Sequence, residues 1–336
     1  MNVLPENVEY EGLNIIPEEN FRETMTEKVE PYLASCATDG VIYSKNDGHR
    51  IYYKNYDNGG DKGTVVILHG FSEFITKYNE PVFYFLDQGY KVYMIEHFGH
   101  GYSERDVENL YKISVSDFSV YVEDVNQLVN EVVIPADGKD NLFLFAHSMG
   151  GGIGTRYLET YPDTFKAAIL TSPMIEINLG WPPEWLARFL AGSAKFFGAG
   201  DNYVISHGGF EGIDEFNDPA CPASSHERYL YGFEKRLENE YWQTYGATYD
   251  WLDASLKATK LMVKEEEAEK VTIPVLLFQA ENDSLVKSKG QLEFATYAKN
   301  VNIVFCPDSK HEIFNSPDDV IKPYWATVFQ FLDSVN

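Results

Sequence analysis

The stretch that decides the fold is residues 141–159, Asn141-Leu-Phe-Leu-Phe-Ala-His-Ser-Met-Gly-Gly-Gly-Ile-Gly-Thr-Arg-Tyr-Leu-Glu159. An apolar run of strand type leads into Ala-His-Ser-Met-Gly, and a segment of helical length follows it. A strand, a tight turn centred on a serine and a helix are together typical of a nucleophile elbow. Such a sharp turn needs small residues two positions before and after the serine, and Ala146 and Gly150 meet that need. The stretch therefore predicts that the hydroxyl of Ser148 lies above the end of a strand, beside the N-terminus of a helix.

Segments of strand type and helix type alternate along the rest of the chain. Apolar strand-type runs lie at 64–68, 91–95, 167–170, 273–278 and 301–305, and helical patterns lie at 76–88, 116–133, 289–298 and 317–332. Short apolar strands separated by helices indicate a mostly parallel sheet that is covered by helices on both faces. The alternation stops between 174 and 260, a helical stretch that holds four of the five tryptophans. We therefore predict one α/β core, formed by 1–173 and 261–336, with a helical insertion at 174–260.

Composition and charge exclude several classes of function. The chain has 336 residues and a formal net charge of −25, so it lacks the excess of Lys and Arg that neutralises the phosphates of nucleic acid. The same charge argues against steady adsorption to an anionic membrane, and we expect no stable membrane insertion. The three cysteines, Cys36, Cys221 and Cys306, have no paired spacing, which predicts neither a disulfide scaffold nor a zinc site.

Targeting and membrane-spanning patterns are not found in the sequence. The first residues carry no basic start followed by an apolar run, and no stretch approaches the roughly 18 apolar residues of a membrane span. From these observations we expect a soluble, cytoplasmic protein.

The residues downstream of the elbow supply the partners that a reactive serine needs. A serine nucleophile requires a base, and the base requires an acid that orients it. After a strand–turn–helix serine, the acid comes next in the chain and the histidine last. Asp283 and His311 each follow a strand-type run, at the edge where open α/β sheets form their sites. We therefore predict Ser148, Asp283 and His311 as a catalytic triad, with Glu281 as the competing acid.

The other histidines are interpreted as loop-shaping, packing or surface residues, with His147 open to substrate contact: His49, His69, His97, His100, His147, His207 and His226.

An acyl oxyanion needs two preorganised hydrogen-bond donors. The backbone N–H after the nucleophile, on Met149, is the first. The second is expected in the loop His69-Gly70-Phe71, where the glycine allows close approach and Phe71 presents its N–H. This scheme requires no cofactor, and no metal site is predicted, because His97 and His100 have no third ligand nearby.

Several motifs together resemble one family. They are His69-Gly-Phe-Ser-Glu-Phe-Ile-Thr-Lys-Tyr78, Gly99-His-Gly-Tyr-Ser103, Phe145-Ala-His-Ser-Met-Gly-Gly151, Leu170-Thr-Ser-Pro-Met174, Phe278-Gln-Ala-Glu-Asn-Asp283 and His311-Glu312. The chain resembles the α/β-hydrolases of the lysophospholipase and monoacylglycerol lipase group, the serine aminopeptidase-like hydrolases, and among them the bacterial L2-type lysophospholipases. The resemblance covers nearly the whole chain.

The resemblance implies an α/β-hydrolase fold in which the insertion at 174–260 is a cap that decides the substrate. It also implies the same triad and the same oxyanion donors. Glu73, Lys77 and His147 match positions that can meet a polar head group. One departure is Glu96-His-Phe98, where the family usually has Asp-His-Arg, and it puts the ion pairs of that loop in doubt.

The leading hypothesis is a serine hydrolase that cleaves carboxylic esters of single-chain lipids through an acyl-enzyme. The aromatic residues of the insertion would shelter an acyl chain, although a small helical subdomain also needs aromatics for its own core. The alternatives are a short-chain carboxylesterase and an aminopeptidase-like amide hydrolase on the same scaffold. A binding protein without activity is a further alternative, but none of the triad residues is missing.

Overall fold

A nine-stranded sheet forms the centre of the computed structural model, which describes residues 2–6 and 8–336. The strands are β1 (Asn2–Val3), β2 (Ala37–Tyr43), β3 (Arg50–Tyr56), β4 (Gly63–Leu68), β5 (Tyr90–Ile95), β6 (Lys112–Ile113), β7 (Leu142–His147), β8 (Ala167–Thr171), β9 (Gly246–Ala247), β10 (Val275–Asn282) and β11 (Val301–Lys310). The order across the sheet is β1-β11-β10-β8-β7-β4-β5-β3-β2, and β6 pairs with β9 in a separate small sheet. The prediction of an α/β fold with a mostly parallel sheet is confirmed.

Helices cover both faces of this sheet. They are α1 (Phe21–Thr24), α2 (Glu30–Cys36), α3 (Asn79–Asp87), α4 (Ser119–Leu128), α5 (Ile134–Asp137), α6 (Met149–Thr160), α7 (Glu184–Phe196), α8 (His226–Glu238), α9 (Tyr249–Met262), α10 (Glu265–Ala268), α11 (Ser288–Tyr297) and α12 (Asp318–Val335). The helix predicted from 116 begins at Ser119, because the carboxylate of Asp117 accepts the Ser119 N–H at 2.8 Å and forms a turn there.

The parallel strands are buried on both faces, which explains their unbroken apolar sequences. Residues of β4 alternate between two cores: Val66 and Leu68 pack in one, and Val65 and Ile67 pack in the other, with Trp325. The strands β2 and β3 run antiparallel at the edge of the sheet and are only partly buried. Their mixed polar and aromatic sequence lacks the apolar run by which β4, β5, β7, β8, β10 and β11 were predicted.

The topology brings the carboxyl ends of five strands together. β11, β10, β8, β7 and β4 are successive neighbours and parallel, so their carboxyl ends lie along one edge of the sheet. Asp283, His311, Ser148 and His69 are the residues that directly follow β10, β11, β7 and β4. Helices α7, α8 and α9 lie in the chain between β8 and β10. None of the helices among the described residues has the length and apolarity needed to cross a membrane.

Candidate active site

Ser148 stands in a strained turn between β7 and α6. Its backbone has φ 52° and ψ −118°, a conformation that a serine adopts only when its surroundings impose it. Neighbouring backbone supplies that restraint, since Ser148 N–H donates to the carbonyl of Thr171 at 3.1 Å. A side chain at Gly150 would collide with the carbonyl oxygen of Leu68, which explains the small residue required after the serine. The predicted elbow is therefore present in the structure.

His311 links the serine to an acid. Its Nε2 lies 2.7 Å from Ser148 Oγ, and its Nδ1 lies 2.7 Å from Asp283 Oδ2. His311 is 2% exposed, so little of it is open to water that would compete for these hydrogen bonds. A histidine with its Nδ1–H on a carboxylate presents a lone pair on Nε2, which is the tautomer that can accept the serine proton.

Asp283, and not Glu281, is the carboxylate that contacts His311. Asp283 Oδ1 accepts the N–H groups of Leu285 at 2.9 Å and Val286 at 3.0 Å, which aims the other oxygen at His311. Burial alone would raise the pKa of Asp283, but His311 and these two N–H groups hold it below its ordinary value. Glu281 instead accepts the backbone N–H of Asp308 at 2.8 Å.

The loop after β4 presents the second candidate oxyanion donor. His69 Nδ1 lies 2.8 Å from the carbonyl of Gly70, and Glu73 N–H donates to the same oxygen at 3.3 Å. Because N–H and C=O of a trans peptide point in opposite directions, these contacts turn the Phe71 N–H away from them. Among the described residues, that N–H has no acceptor. A Cβ added at Gly70 would lie 3.1 Å from Ser148 Cβ, so the loop packs directly against the nucleophile.

Met149 is the first residue of α6, where backbone N–H groups have no partner within the helix. Its N–H is therefore available as the other candidate oxyanion donor.

One residue that the sequence analysis did not identify, Trp251, contacts both candidate donor residues. The ring of Trp251 lies 4.4 Å from that of Phe71, and its Nε1–H donates to Met149 Sδ at 3.4 Å. Trp251 comes from α9, about a hundred residues later in the chain, so no local pattern could have indicated this contact.

The three residues predicted to meet a head group lie together beneath the loop. Lys77 Nζ donates to Glu73 Oε1 at 2.7 Å and to Glu312, and His147 Nε2 lies 4.0 Å from Glu73. Burial alone would lower the pKa of Lys77, but the two carboxylates hold it above its ordinary value. Burial lowers the pKa of His147 to about 4, so its ring is neutral beside that of His311, at a centroid distance of 4.9 Å.

One cluster has the composition of a metal site. The ligand atoms of Glu73, His147 and Glu312 lie within 4.8 Å of one another, close enough for the three side chains to bind one ion. The ammonium group of Lys77 already bonds both carboxylates, so a cation would have to displace it. The cluster is thus built as an internal ion pair network. Contact between these side chains and a substrate head group stays a prediction.

His69, His97 and His100 support the loops, as the sequence interpretation held. All three are fully buried, and the His97 N–H donates to His69 Nε2 at 3.2 Å. Burial lowers the pKa of His69 to about 4, so it is neutral, with its proton on the Nδ1 that faces Gly70.

An apolar cavity of 430 Å³ opens at Ser148. Its walls come from the loop after β4 (residues 69–73), which we call the oxyanion loop, from the segment after β8 and from helices α7 and α9. They include Phe71, Met174, Ala187, Leu190, Trp251 and Leu252. Among the described residues, no carboxylate and no Lys or Arg lines it. A cavity of this size and chemistry suits an alkyl chain.

The aromatic residues of the insertion divide between the cavity and solvent. Trp251 is buried in the cavity wall, and Trp242 stacks on Phe74 at a centroid distance of 5.2 Å. Trp185 is 70% exposed and Phe196 is 84% exposed. Two roles were predicted for these aromatic residues, to shelter an acyl chain and to form the core of the insertion. Neither role accounts for the exposed Trp185 and Phe196.

Comparisons with known proteins place the chain in a family. The family described as "Serine aminopeptidase, S33" matches residues 59–318. The chain belongs to this family. It is 27% identical over 270 residues to a probable lysophospholipase L2 of Haemophilus influenzae, covering 80% of this chain and 83% of that protein. It is 25% identical over 279 residues to a monoacylglycerol lipase of Mycolicibacterium smegmatis, covering 81% and 89%.

Among solved structures, the fold is similar to that of a thermostable carboxyl esterase from Bacillus coagulans. The TM-score is 0.72 at 20% identity, and the match covers 89% of this chain and 99% of that one. The predictions of an α/β-hydrolase fold and of membership in the lysophospholipase and monoacylglycerol lipase group are confirmed.

Proposed function

We propose that this protein is a serine hydrolase that cleaves carboxylic esters of single-chain lipids, lysophospholipids or monoacylglycerols, through an acyl-enzyme on Ser148. The observation that carries the proposal is the line of hydrogen bonds from Ser148 through His311 to Asp283, each of 2.7 Å, at the wall of an apolar cavity. The hydrolase class agrees with the relatives, which are lysophospholipases and monoacylglycerol lipases.

In the first half of the reaction, Ser148 Oγ attacks the ester carbonyl while His311 Nε2 takes its proton. The carboxylate of Asp283 stabilises the imidazolium that forms and keeps the ring in place. The negative charge on the carbonyl oxygen develops between the N–H groups of Phe71 and Met149. Preorganised donors of this kind cost no reorganisation when the charge appears.

To complete this half, His311 gives its proton to the departing alcohol, and the acyl group remains on Ser148. In the second half, water attacks the acyl-enzyme while His311 takes a proton from it, and His311 returns that proton to Ser148 Oγ as the fatty acid leaves. The proton transfers use Ser148, His311 and Asp283, which lie within hydrogen-bond reach of one another in the structure.

The substrate class follows from the cavity. Its uncharged walls favour an alkyl chain, and each CH₂ buried there contributes about 0.8 kcal/mol. We propose that residues 174–260 act as a cap that encloses this chain. An aminopeptidase would need a carboxylate to hold the free amine of its substrate, and among the described residues none lines the cavity.

A panel of substrates tests the proposal. We would measure kcat/KM for glycerol monoesters from two to sixteen acyl carbons, for lysophosphatidylcholine and for aminoacyl amides, with the Ser148→Ala variant as control. We expect kcat/KM to rise with acyl length over several carbons and then level off. The control should lose roughly 10⁴–10⁶-fold in kcat. A maximum at acetate would indicate a short-chain esterase, and faster cleavage of the amides would indicate a peptidase.

A further inference from the structure

Helix α8 reaches the oxyanion loop through one arginine. Arg236 Nη2 donates to the carbonyl of Ser72 at 2.6 Å. Ser72 directly follows Phe71 and has φ 56°, a left-handed conformation that costs a serine energy. A conformation of this kind persists only where neighbouring groups restrain it, and Arg236 is positioned to be such a group.

The surroundings of Arg236 distinguish it from a structural ion pair. Its guanidinium lies 5.7 Å from the ring centre of Phe74 and 5.5 Å from that of Phe210. Within the described part of the chain, no carboxylate lies within 4.0 Å of its nitrogens, and the carbonyl of Ser72 is the one acceptor of its side chain. The two aromatic faces hold the planar group in place, so its hydrogen bond has a defined direction.

The helix that carries Arg236 is itself immobilised against the hydrolase core. Arg228, which lies about two helical turns before Arg236 on α8, has a fully buried side chain and contacts Glu80 at 3.1 Å and Asp318 at 3.2 Å. Tyr231 accepts a hydrogen bond from Asn79 at 2.7 Å. A residue presented by such a helix can fix a loop within the small tolerance that catalysis requires.

The restraints on the loop are complementary. His69 and Glu73 hold Gly70, which precedes the donor Phe71. The contact from Arg236 holds Ser72, which follows it. Without Arg236 the loop would be held only at Gly70, before the donor, and Ser72, with its unfavourable backbone conformation, would lose this restraint.

We propose that Arg236 is a positioning residue of the oxyanion hole, which acts through the Ser72 carbonyl to hold the Phe71 N–H where negative charge develops. This inference rests on the proposed function, because it requires acyl transfer at Ser148. It adds a contribution of the insertion to the chemical step, beyond the shelter of the acyl chain.

The test compares Arg236→Met with Lys235→Met, a neighbour on α8 that pairs with Glu30 at 3.0 Å and does not contact the oxyanion loop. We would measure kcat and KM for p-nitrophenyl butyrate, and the affinity for an alkyl trifluoromethyl ketone, which forms a tetrahedral adduct with the serine. Loss of a whole oxyanion donor costs about 10²–10³-fold in kcat, and a displaced donor costs less. We therefore expect Arg236→Met to lower kcat about 10–100-fold, to leave KM within about threefold and to weaken ketone binding by the same factor as kcat.

A purely structural role predicts a different pattern. An Arg236→Met enzyme with the kcat of Lys235→Met, or with a loss confined to KM or to thermal stability, would overturn the inference. If Arg236→Met does not fold by circular dichroism, Arg236→Lys serves instead, since it keeps the charge and one donor. We then expect a smaller fall in kcat with unchanged KM, and an unchanged kcat would count against the inference. An inactive wild-type protein whose Ser148 is not labelled by a fluorophosphonate would instead refute the proposed function.

Discussion

Helices α7 and α8 of the insertion have the same length, 13 residues, but they meet the rest of the molecule in different ways. Helix α8 directs a fully buried arginine, Arg228, into the core, where it contacts two carboxylates and the carbonyl of Ile16. Helix α7 directs its small residues, Ala187 and Ala191, inward and leaves Trp185 and Phe196 in solvent.

The difference separates two tasks of one insertion. Helix α8 contacts the loop of the proposed oxyanion donor through Arg236, so we expect its position to affect the chemical step. Helix α7 forms a wall of the cavity and, among the described residues, its ion pairs are partly exposed, so we expect its sequence to vary with the substrate. We expect changes on the α8 side and in the core to affect every substrate alike, and changes on the α7 side to affect substrates according to acyl length.

Of the variants that test this difference, the largest effect is expected at the proposed acid, Asp283. Asp283→Asn should lower kcat about 10⁴-fold for every acyl length, because it favours the wrong tautomer of His311. Glu281→Gln, which removes a carboxylate bonded only to the backbone of Asp308, should cost far less. Steady-state kinetics on short and long esters provides the measurement. The reverse ranking of the two variants would refute the assignment of the acid.

Two of the three arginines of the insertion, Arg228 and Arg188, offer a matched comparison of stability. Arg228→Met removes one partner of a buried ion pair and leaves Glu80 uncompensated, so we expect the free energy of unfolding to fall by about 3–5 kcal/mol. Arg188→Met on α7 removes a partly exposed pair with Glu184 and should cost less than about 1 kcal/mol. Urea denaturation measures both values. Equal losses would show that α8 is not anchored more firmly than α7.

Glu96 is linked to the segment that follows α8. It accepts the N–H of Tyr102, and the ring of Tyr102 packs against that of Tyr241. Burial raises the pKa of Glu96 to about 7, although the backbone N–H groups of Tyr102 and Ile75 lower it in part. The unfolded chain releases this proton near pH 4.3. Between these two pKa values the folded state binds more protons than the unfolded chain. The stability that protonated Glu96 contributes is therefore fully present below about pH 4.3 and is lost as the pH rises through 7.

Glu96→Gln should remove this loss of stability with rising pH, since the amide of glutamine is neutral in both the folded and the unfolded state. We expect the free energy of unfolding of the variant, relative to wild type, to rise by up to about 3 kcal/mol between about pH 5 and pH 8. Both proteins share every other titrating group, so urea denaturation at the two pH values isolates Glu96. Parallel pH profiles would show that Glu96 titrates at its ordinary pKa.

The smallest effect is expected on the α7 side. Leu190→Trp should fill part of the cavity, and excluding two CH₂ groups costs about 1.6 kcal/mol, roughly a tenfold loss of kcat/KM for long esters. Butyrate should be hydrolysed within about twofold of the wild-type rate. Phe189→Trp, at a position that is 66% exposed on the same helix, is the control and should keep the wild-type profile. Equal losses on short and long esters would show that Leu190 does not limit acyl length.

The parts of the molecule that were predictable from sequence are those with a local signal. The strand before Ser148 is buried on both faces and therefore reads as an unbroken apolar run. The acid and the base follow strands and come in a set order, so Asp283 and His311 were identifiable without any contact information. The edge pair β2–β3 and the helices before it carry no comparable run, and they were not predicted.

The remaining features depend on contacts between distant parts of the chain. Arg236 and Ser72 are 164 residues apart, and Arg228 and Ile16 are 212 apart. Both arginines lie on a helix whose charged residues are as compatible with a solvated surface as with an anchor. The outward direction of Trp185 was likewise not readable, because an aromatic residue in a helical pattern is more often part of a core.

The most direct test of the central claim is to locate the covalent adduct. The protein is treated with a fluorophosphonate, digested and analysed by mass spectrometry, with Ser148→Ala treated in parallel. We predict a single adduct on the peptide that contains Ser148, its absence from the variant, and loss of ester hydrolysis in step with labelling. An adduct on another serine, or a Ser148→Ala protein that hydrolyses esters at the wild-type rate, would contradict the account.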